Sequence, residues 1–262
     1  MINPVKNRLL YIANWKMNYT TGEARVYFDA FLPSIKDLPS ENEVVIVPPF
    51  TLLPLTKDLL EGSRVNWGAQ NMFYEKRGAY TGEISPLMIK DLGGTYVLLG
   101  HSERRAHFEE SSSLVARKLA LALEIGLNPV VCVGENLKER QAGKTFKVLE
   151  RQLSPLCKAW RDSPPVSSVI IAYEPVWAIG TGINATPAQA QEAHNFIKTY
   201  LTSKGISKIN VLYGGSVNSK NVASLVEQPD VSGCLVGGSS LDPEEFKKII
   251  FTRKEVTGIG SR

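Results

Sequence analysis

Eight short apolar runs, each followed by a helical pattern, constrain this chain more than any other feature. They lie at residues 10–13, 44–47, 65–67, 96–99, 129–133, 169–173, 210–213 and 234–236. Runs rich in Val and Ile that are apolar throughout, rather than at alternate positions, are what strands buried on both faces look like. Strand and helix alternating along 262 residues imply parallel strands joined by helical crossovers. Eight such units at this length fit a closed (βα)8 barrel better than an open doubly wound sheet.

The helix signals between the runs agree. Thr20 and Glu23 form a capping box, in which each side chain satisfies the other residue's free N–H. Thr186-Pro187 and Asp242-Pro243 each supply a cap followed by Pro in the first turn. Ala190, Ala193, Ile197 and Leu201 form the inward stripe of one helix, and Phe246, Ile249 and Ile250 that of the other. A helix over 113–125 is expected to turn Leu114, Leu121 and Ile125 inward and to stop at Gly126. No composition break divides the chain. Ser163-Pro164-Pro165 reads as a short connection before the next strand, and residues 1–262 read as one barrel domain.

A barrel carries its chemistry on the loops after its strands, so the residues at those places are the candidates. Strand one is followed by Asn14, Trp15, Lys16, Met17 and Asn18, which aims a Lys at the barrel mouth, where it can meet an anion. Strand four is followed by Gly100, His101, Ser102 and Glu103. A histidine at a helix start is biased toward its neutral form by the positive helix end, and a neutral imidazole can still donate to a carbonyl. Glu103 either orients Lys16 or is an exposed charge. His107 and His194 fall inside helical patterns and read as surface or packing residues.

Strand six ends on Glu174. Pro175, Val176, Trp177, Ala178, Ile179, Gly180 and Thr181 follow. A carboxylate ahead of an apolar loop with glycines near its end suits a base under a lid that excludes water. Strands seven and eight are followed by Gly214-Gly215-Ser216 and Gly237-Gly238-Ser239. Two glycine turns at the places where barrels hold phosphate make a candidate anion cradle.

Other chemistries lack support. Gly143-Lys144-Thr145 resembles the end of a nucleotide-binding loop, but Lys138 stands where its first Gly is required. No dinucleotide fingerprint or clustered metal ligands appear, so neither metal nor cofactor is expected. The net charge of +4 helps an anionic small molecule approach but argues for no nucleic acid. No run is long and apolar enough to span a membrane. Cys132, Cys157 and Cys234 have no paired spacing, which points to a reduced, cytoplasmic protein; Cys132, inside strand five, reads as packing. A base, a cation, a neutral donor and a phosphate cradle at one mouth leave proton abstraction beside the carbonyl of a small phosphorylated sugar. A Schiff-base aldolase using Lys16, and a non-catalytic phosphate binder, remain as alternatives.

These segments resemble the triosephosphate isomerase family. The matching stretches are 14–18, 69–71, 78–83, 100–105, 132–135, 172–182, 213–217 and 235–238, in the family's order. The glutamate base, neutral histidine and closing loop are general knowledge of that family. The resemblance implies interconversion of dihydroxyacetone phosphate and D-glyceraldehyde 3-phosphate through an enediol(ate), in glycolysis and gluconeogenesis. It implies Glu174 as base, His101 as electrophile, and Lys16 with Asn14 against developing charge. Gly180, Ser216, Gly237 and Gly238 would hold the phosphate. The long segment 71–86 carries Phe73, Tyr74 and Tyr80, and aromatics on a long loop suggest an interface. By resemblance the protein is expected to be a homodimer, with Thr81 and Gln70 at the contact.

Overall fold

A computed structural model describes residues 8–162, 169–179 and 184–254. Its strands are β1 (Leu9–Asn14), β2 (Asn42–Val47), β3 (Val65–Ala69), β4 (Tyr96–Leu99), β5 (Asn128–Val133), β6 (Ile170–Tyr173), β7 (Asn210–Tyr213) and β8 (Gly233–Val236). All pair in parallel, in sequence order, and β8 returns to β1 to close the ring. The expected (βα)8 barrel is therefore the fold. The helices are α1 (Thr21–Ser34), α2 (Leu53–Leu60), α3 (Pro86–Asp91), α4 (Ser102–His107), α5 (Ser112–Ile125), α6 (Leu137–Gln141), α7 (Thr145–Arg161), α8 (Pro187–Ser203), α9 (Val222–Val226) and α10 (Pro243–Ile250). The run at 163–165 lies outside the described residues. None of the described helices is long and apolar enough to cross a membrane.

The continuous apolarity of the strands follows from having two cores. Leu10, Ile12, Val45, Val47, Leu98, Val130, Cys132, Ile170, Ala172, Leu212 and Leu235 belong to the cluster that fills the ring. Their strand neighbours, such as Leu9, Tyr11, Val44, Val97, Val131, Ile171 and Val211, belong to the cluster beneath the helices. Side chains alternate along a strand with period two. Continuing the inward set of β1 past Ile12 reaches Asn14, and that of β6 past Ala172 reaches Glu174. The register that fills the core thus sets both side chains at the mouth.

The capping expectations hold. Thr20 donates both its N–H and its hydroxyl to Glu23, at 2.7 and 2.8 Å. Thr186 and Gln189 exchange bonds of 2.9 and 3.2 Å, and Asp242 accepts from the Glu244 and Glu245 N–H groups at the start of α10. The α5 face differs from expectation. Gly126 stops the helix and Leu121 is buried, as expected, but the cap is Ser111, the buried set also takes in Val115, Lys118, Leu119, Ala122 and Leu123, and Leu114 and Ile125 are only half-buried. Lys118, a charged residue, faces inward among them and is paired there with Glu110.

Candidate active site

The residues singled out after the strands gather in a cleft of about 310 Å³, lined by Asn14, Lys16, His101, Glu174, Ile179, Ser216, Gly237 and Gly238 among others. Only Gly180 and Thr181, of the lid and phosphate candidates, lie outside the described residues.

Glu174 sits just past β6 because Gly134 stands beside it. A methyl group at position 134 would lie 1.7 Å from the Glu174 carbonyl oxygen, so any larger residue would push Glu174 out of place. The Glu174 N–H donates to the Val133 carbonyl at 2.8 Å, which extends the β5–β6 ladder by one rung. One carboxylate oxygen lies 2.9 Å from His101 Nε2, and the other accepts the Ser102 N–H at 2.9 Å. The side chain is almost wholly buried. Burial alone pushes its pKa up, but the His101 imidazole, the Ser102 N–H and the Cys132 thiol outweigh burial and hold it below the usual carboxylate range.

His101 is the N-cap of α4, and its Nδ1 accepts the Glu103 N–H at 3.3 Å. An acceptor at Nδ1 leaves the ring proton on Nε2, facing Glu174. Burial lowers the pKa of this imidazole, but the charge and hydrogen bond of Glu174 more than offset that and raise it above its ordinary value. Arg105 braces the segment from below, reaching the Gly100 and Cys132 carbonyls and the Ser112 hydroxyl at 2.8–3.1 Å. The Gly100 N–H donates to Glu110, which also pairs with Lys118. Arg105, Glu110 and Lys118 were not among the sequence candidates, since nothing local marks a buried charged partner.

Lys16 adopts a left-handed backbone conformation, φ +52°, a strained choice for a residue with a side chain. Two bonds hold it there. Its N–H donates to Asn14 Oδ1 at 3.0 Å, and its carbonyl accepts from Gln70 at 2.7 Å. The Lys16 ammonium pairs with Glu103 at 2.6 Å, as expected. Gln70, expected at a dimer contact, places its amide on the Lys16 and Val47 carbonyls of its own chain.

The described part of the lid is a short 3₁₀ turn, Val176–Ala178. Buried Glu135 anchors it by accepting from the Tyr173 hydroxyl at 3.1 Å and from Trp177 Nε1 at 2.9 Å, while its carbonyl takes the Val176 N–H at 3.1 Å. The matching stretch 132–135 holds this residue, but its role only appears once β5 and β6 are paired.

The remaining readings also find their places. Gly143-Lys144-Thr145 joins α6 to α7 and follows no strand. The three cysteines are free and buried, and burial raises the Cys132 thiol well above its usual range, away from a nucleophilic thiolate. His194 is fully buried on the α8 face, a packing residue, while His107 is exposed.

The family model described as triosephosphate isomerase matches residues 9–253. The chain belongs to the triosephosphate isomerase family. Its relatives include the triosephosphate isomerase of Aquifex aeolicus, 46% identical over 94% of this chain and 99% of the relative. That of Caldanaerobacter subterraneus subsp. tengcongensis is 43% identical over 93% and 98%. That of Bdellovibrio bacteriovorus is 46% identical over 92% and 98%. The triosephosphate isomerase resemblance read from the sequence segments is thus borne out across nearly the full chain.

Proposed function

We propose that this chain is a triose-phosphate isomerase that interconverts dihydroxyacetone phosphate and D-glyceraldehyde 3-phosphate in glycolysis and gluconeogenesis. The observation that carries this reading is the convergence of the Glu174 carboxylate, His101 Nε2 and Lys16 in one cleft at the C-terminal end of the barrel. Glu174 takes a proton from the carbon beside the carbonyl, and the electron pair of that C–H bond forms the enediolate. The carbonyl oxygen gains the negative charge and is met by the Nε2–H of His101 and the Lys16 ammonium. Glu174 returns the proton to the neighbouring carbon, and His101 moves the proton between the two oxygens. When Glu174 turns from His101 to substrate, the largest influence raising the imidazole pKa is gone and only the Glu103 charge still raises it. Burial and the N–H at Nδ1 then favour the neutral ring that this role needs.

The backbone of Ser216, Gly237 and Gly238 holds the phosphate, together with Gly180, and Asn14 supports Lys16. Closure of residues 175–181 excludes water from the intermediate. The Lys16 Nζ is engaged by Glu103 at 2.6 Å, whereas a Schiff-base lysine needs its amine free to attack a carbonyl; that supports the isomerase over the aldolase.

The exposed Thr81 and the aromatic loop around it support a homodimer. Phe73 stacks on Tyr74 and packs tilted against Tyr80, with ring centroids 4.1 and 4.4 Å apart, so the loop is shaped by its own packing. Tyr80, Met88, Met17 and Phe108 present apolar surface for a second copy. The eight units closing one ring support a single domain, and three buried free thiols support a cytoplasmic setting.

A coupled isomerase assay on the wild-type protein and Glu174→Gln tests the reading. General acid–base help is worth roughly 10²–10⁴-fold, so kcat is expected to fall by that order. Equal rates for the two proteins would remove Glu174 as the base. Sedimentation at micromolar concentration is expected to show about twice the 28.8 kDa chain mass; a species at the chain mass alone refutes the dimer.

A further inference from the structure

Tyr19 is the second residue of the β1 loop with a left-handed backbone, φ +74°. For an aromatic side chain this conformation is costly, and it persists only where surrounding contacts enforce it. The contacts are specific. The half-buried ring packs edge-on against Trp15, with centroids 4.8 Å apart, and tilted against Tyr27 at 5.8 Å. Its hydroxyl crosses to the next loop and donates to the Leu241 carbonyl.

Leu241 ends the 3₁₀ turn Gly238–Leu241, which begins beside Gly237 and lines the cleft. This turn is the β8 loop of the proposed phosphate cradle. On its β7 side, the β8 ladder consists of one pair, Tyr213 with Cys234. On its other side β8 pairs with β1 along Leu10–Ala13. The β8 loop therefore leans on the β1 loop. Lys16 lies against it as well: a methyl group at position 237 would meet Lys16 Cε at 3.3 Å and Nζ at 3.7 Å. The Lys16 side chain and the cradle touch at one end of the two loops, and Tyr19 and Leu241 are joined at the other.

We infer that Tyr19 is a positioning residue for the isomerase reaction, holding the β8 phosphate turn in register with the loop that carries Lys16. It does not line the cleft, so it acts through Leu241 and the Lys16 loop, not on substrate. The left-handed backbone at position 19 turns the ring back across the loop toward Leu241. The inference rests on the reading of the β8 turn as the phosphate site.

The test uses the full-length protein, triose phosphate as substrate and inorganic phosphate as competing ligand. Tyr19→Phe removes only the hydroxyl. Losing one hydrogen bond should raise KM and the phosphate inhibition constant together by about 2- to 10-fold, with kcat changed by less than the rise in KM. A purely structural role would lower Tm and leave the phosphate constant unmoved; that result, or unchanged KM and phosphate constant, overturns the inference. Tyr19→Gly suits the left-handed backbone and so guards against misfolding in the first variant. It should weaken phosphate at least as much, and phosphate binding equal to wild type in that variant also overturns the inference. Wild-type protein that neither turns over triose phosphate nor is inhibited by phosphate overturns the reading of the site, and this inference with it.

Discussion

His101 Nε2 lies 2.9 Å from one oxygen of Glu174, while the other oxygen is held by the Ser102 N–H. The base and electrophile of the proposed reaction therefore sit bonded to each other, each shifting the other's proton affinity. Replacing His101 by Gln keeps a donor but loses the ring's fixed direction. Removing a donor aimed at a developing oxyanion costs about 10²–10³ in kcat, and His101→Gln is expected to fall in that range by steady-state assay. A variant with near wild-type kcat would remove His101 from the reaction.

Lys16 is fixed by a strained backbone, by Asn14 and Gln70, and by the ion pair to Glu103. Such preorganisation has a purpose only if the ammonium meets substrate charge. Hydrogen bonds to charged groups are worth about 1.5–3 kcal/mol, so Lys16→Ala should lower kcat/KM by roughly 10- to 150-fold. Wild-type kcat/KM in this variant would make the lysine a bystander.

Most of this site was legible in the sequence for a physical reason. A parallel barrel places chemistry after its strands, and the strands are recognisable because both of their faces are buried. Asn14 and Glu174 could be placed at the mouth by position alone. The supporting residues could not. Glu135, Arg105, Glu110 and Lys118 act on partners 8 to 42 residues away, and a single sequence gives no sign of such pairing. Lys118 shows the limit best. An apolar stripe of Leu114, Leu121 and Ile125 leaves out the one charged residue that the helix buries. Tyr19 is similar, because its bond to Leu241 spans 222 positions.

The Lys118–Glu110 pair is the deepest ion pair among the described residues, with side chains 4% and 1% exposed. Lys118 also donates to Asn71 at 2.8 Å, at the root of the aromatic loop, and Glu110 accepts the Gly100 N–H beside His101. Lys118→Met keeps the length of the side chain but leaves buried Glu110 with only the part-exposed Arg104, whose Nε lies 3.5 Å away. Breaking a buried pair this way costs about 3–5 kcal/mol, read from urea unfolding. Adding Glu110→Gln should recover part of the loss, because an amide needs no counter-charge. A single variant as stable as wild type would show that the pair adds nothing to stability.

His194 sets how the fold responds to acid. It is fully buried on α8, edge-on to Tyr173 at 5.9 Å, with Nδ1 3.3 Å from the Asp230 carbonyl and Nε2 without a partner. Burial lowers its pKa from 6.5 to about 4, against the raising influence of the Asp230 carbonyl. Above pH 6.5 neither the folded nor the unfolded chain binds a proton at this site, so the residue adds no pH dependence there. As pH falls from 6.5 towards 4, the unfolded chain takes up a proton that the folded chain refuses, and stability is lost. One pKa unit corresponds to 1.36 kcal/mol, so the loss approaches about 3 kcal/mol at the acid end of this window. Asp230 lies lower still, its pKa held below the usual range by its amide and Lys198 partners despite partial burial, so its own loss begins at the bottom of the window. Urea unfolding from pH 7 to 4.5 should show a slope shallower by up to one proton in His194→Phe than in wild type. Equal slopes in the two proteins would mean that another group carries the acid response.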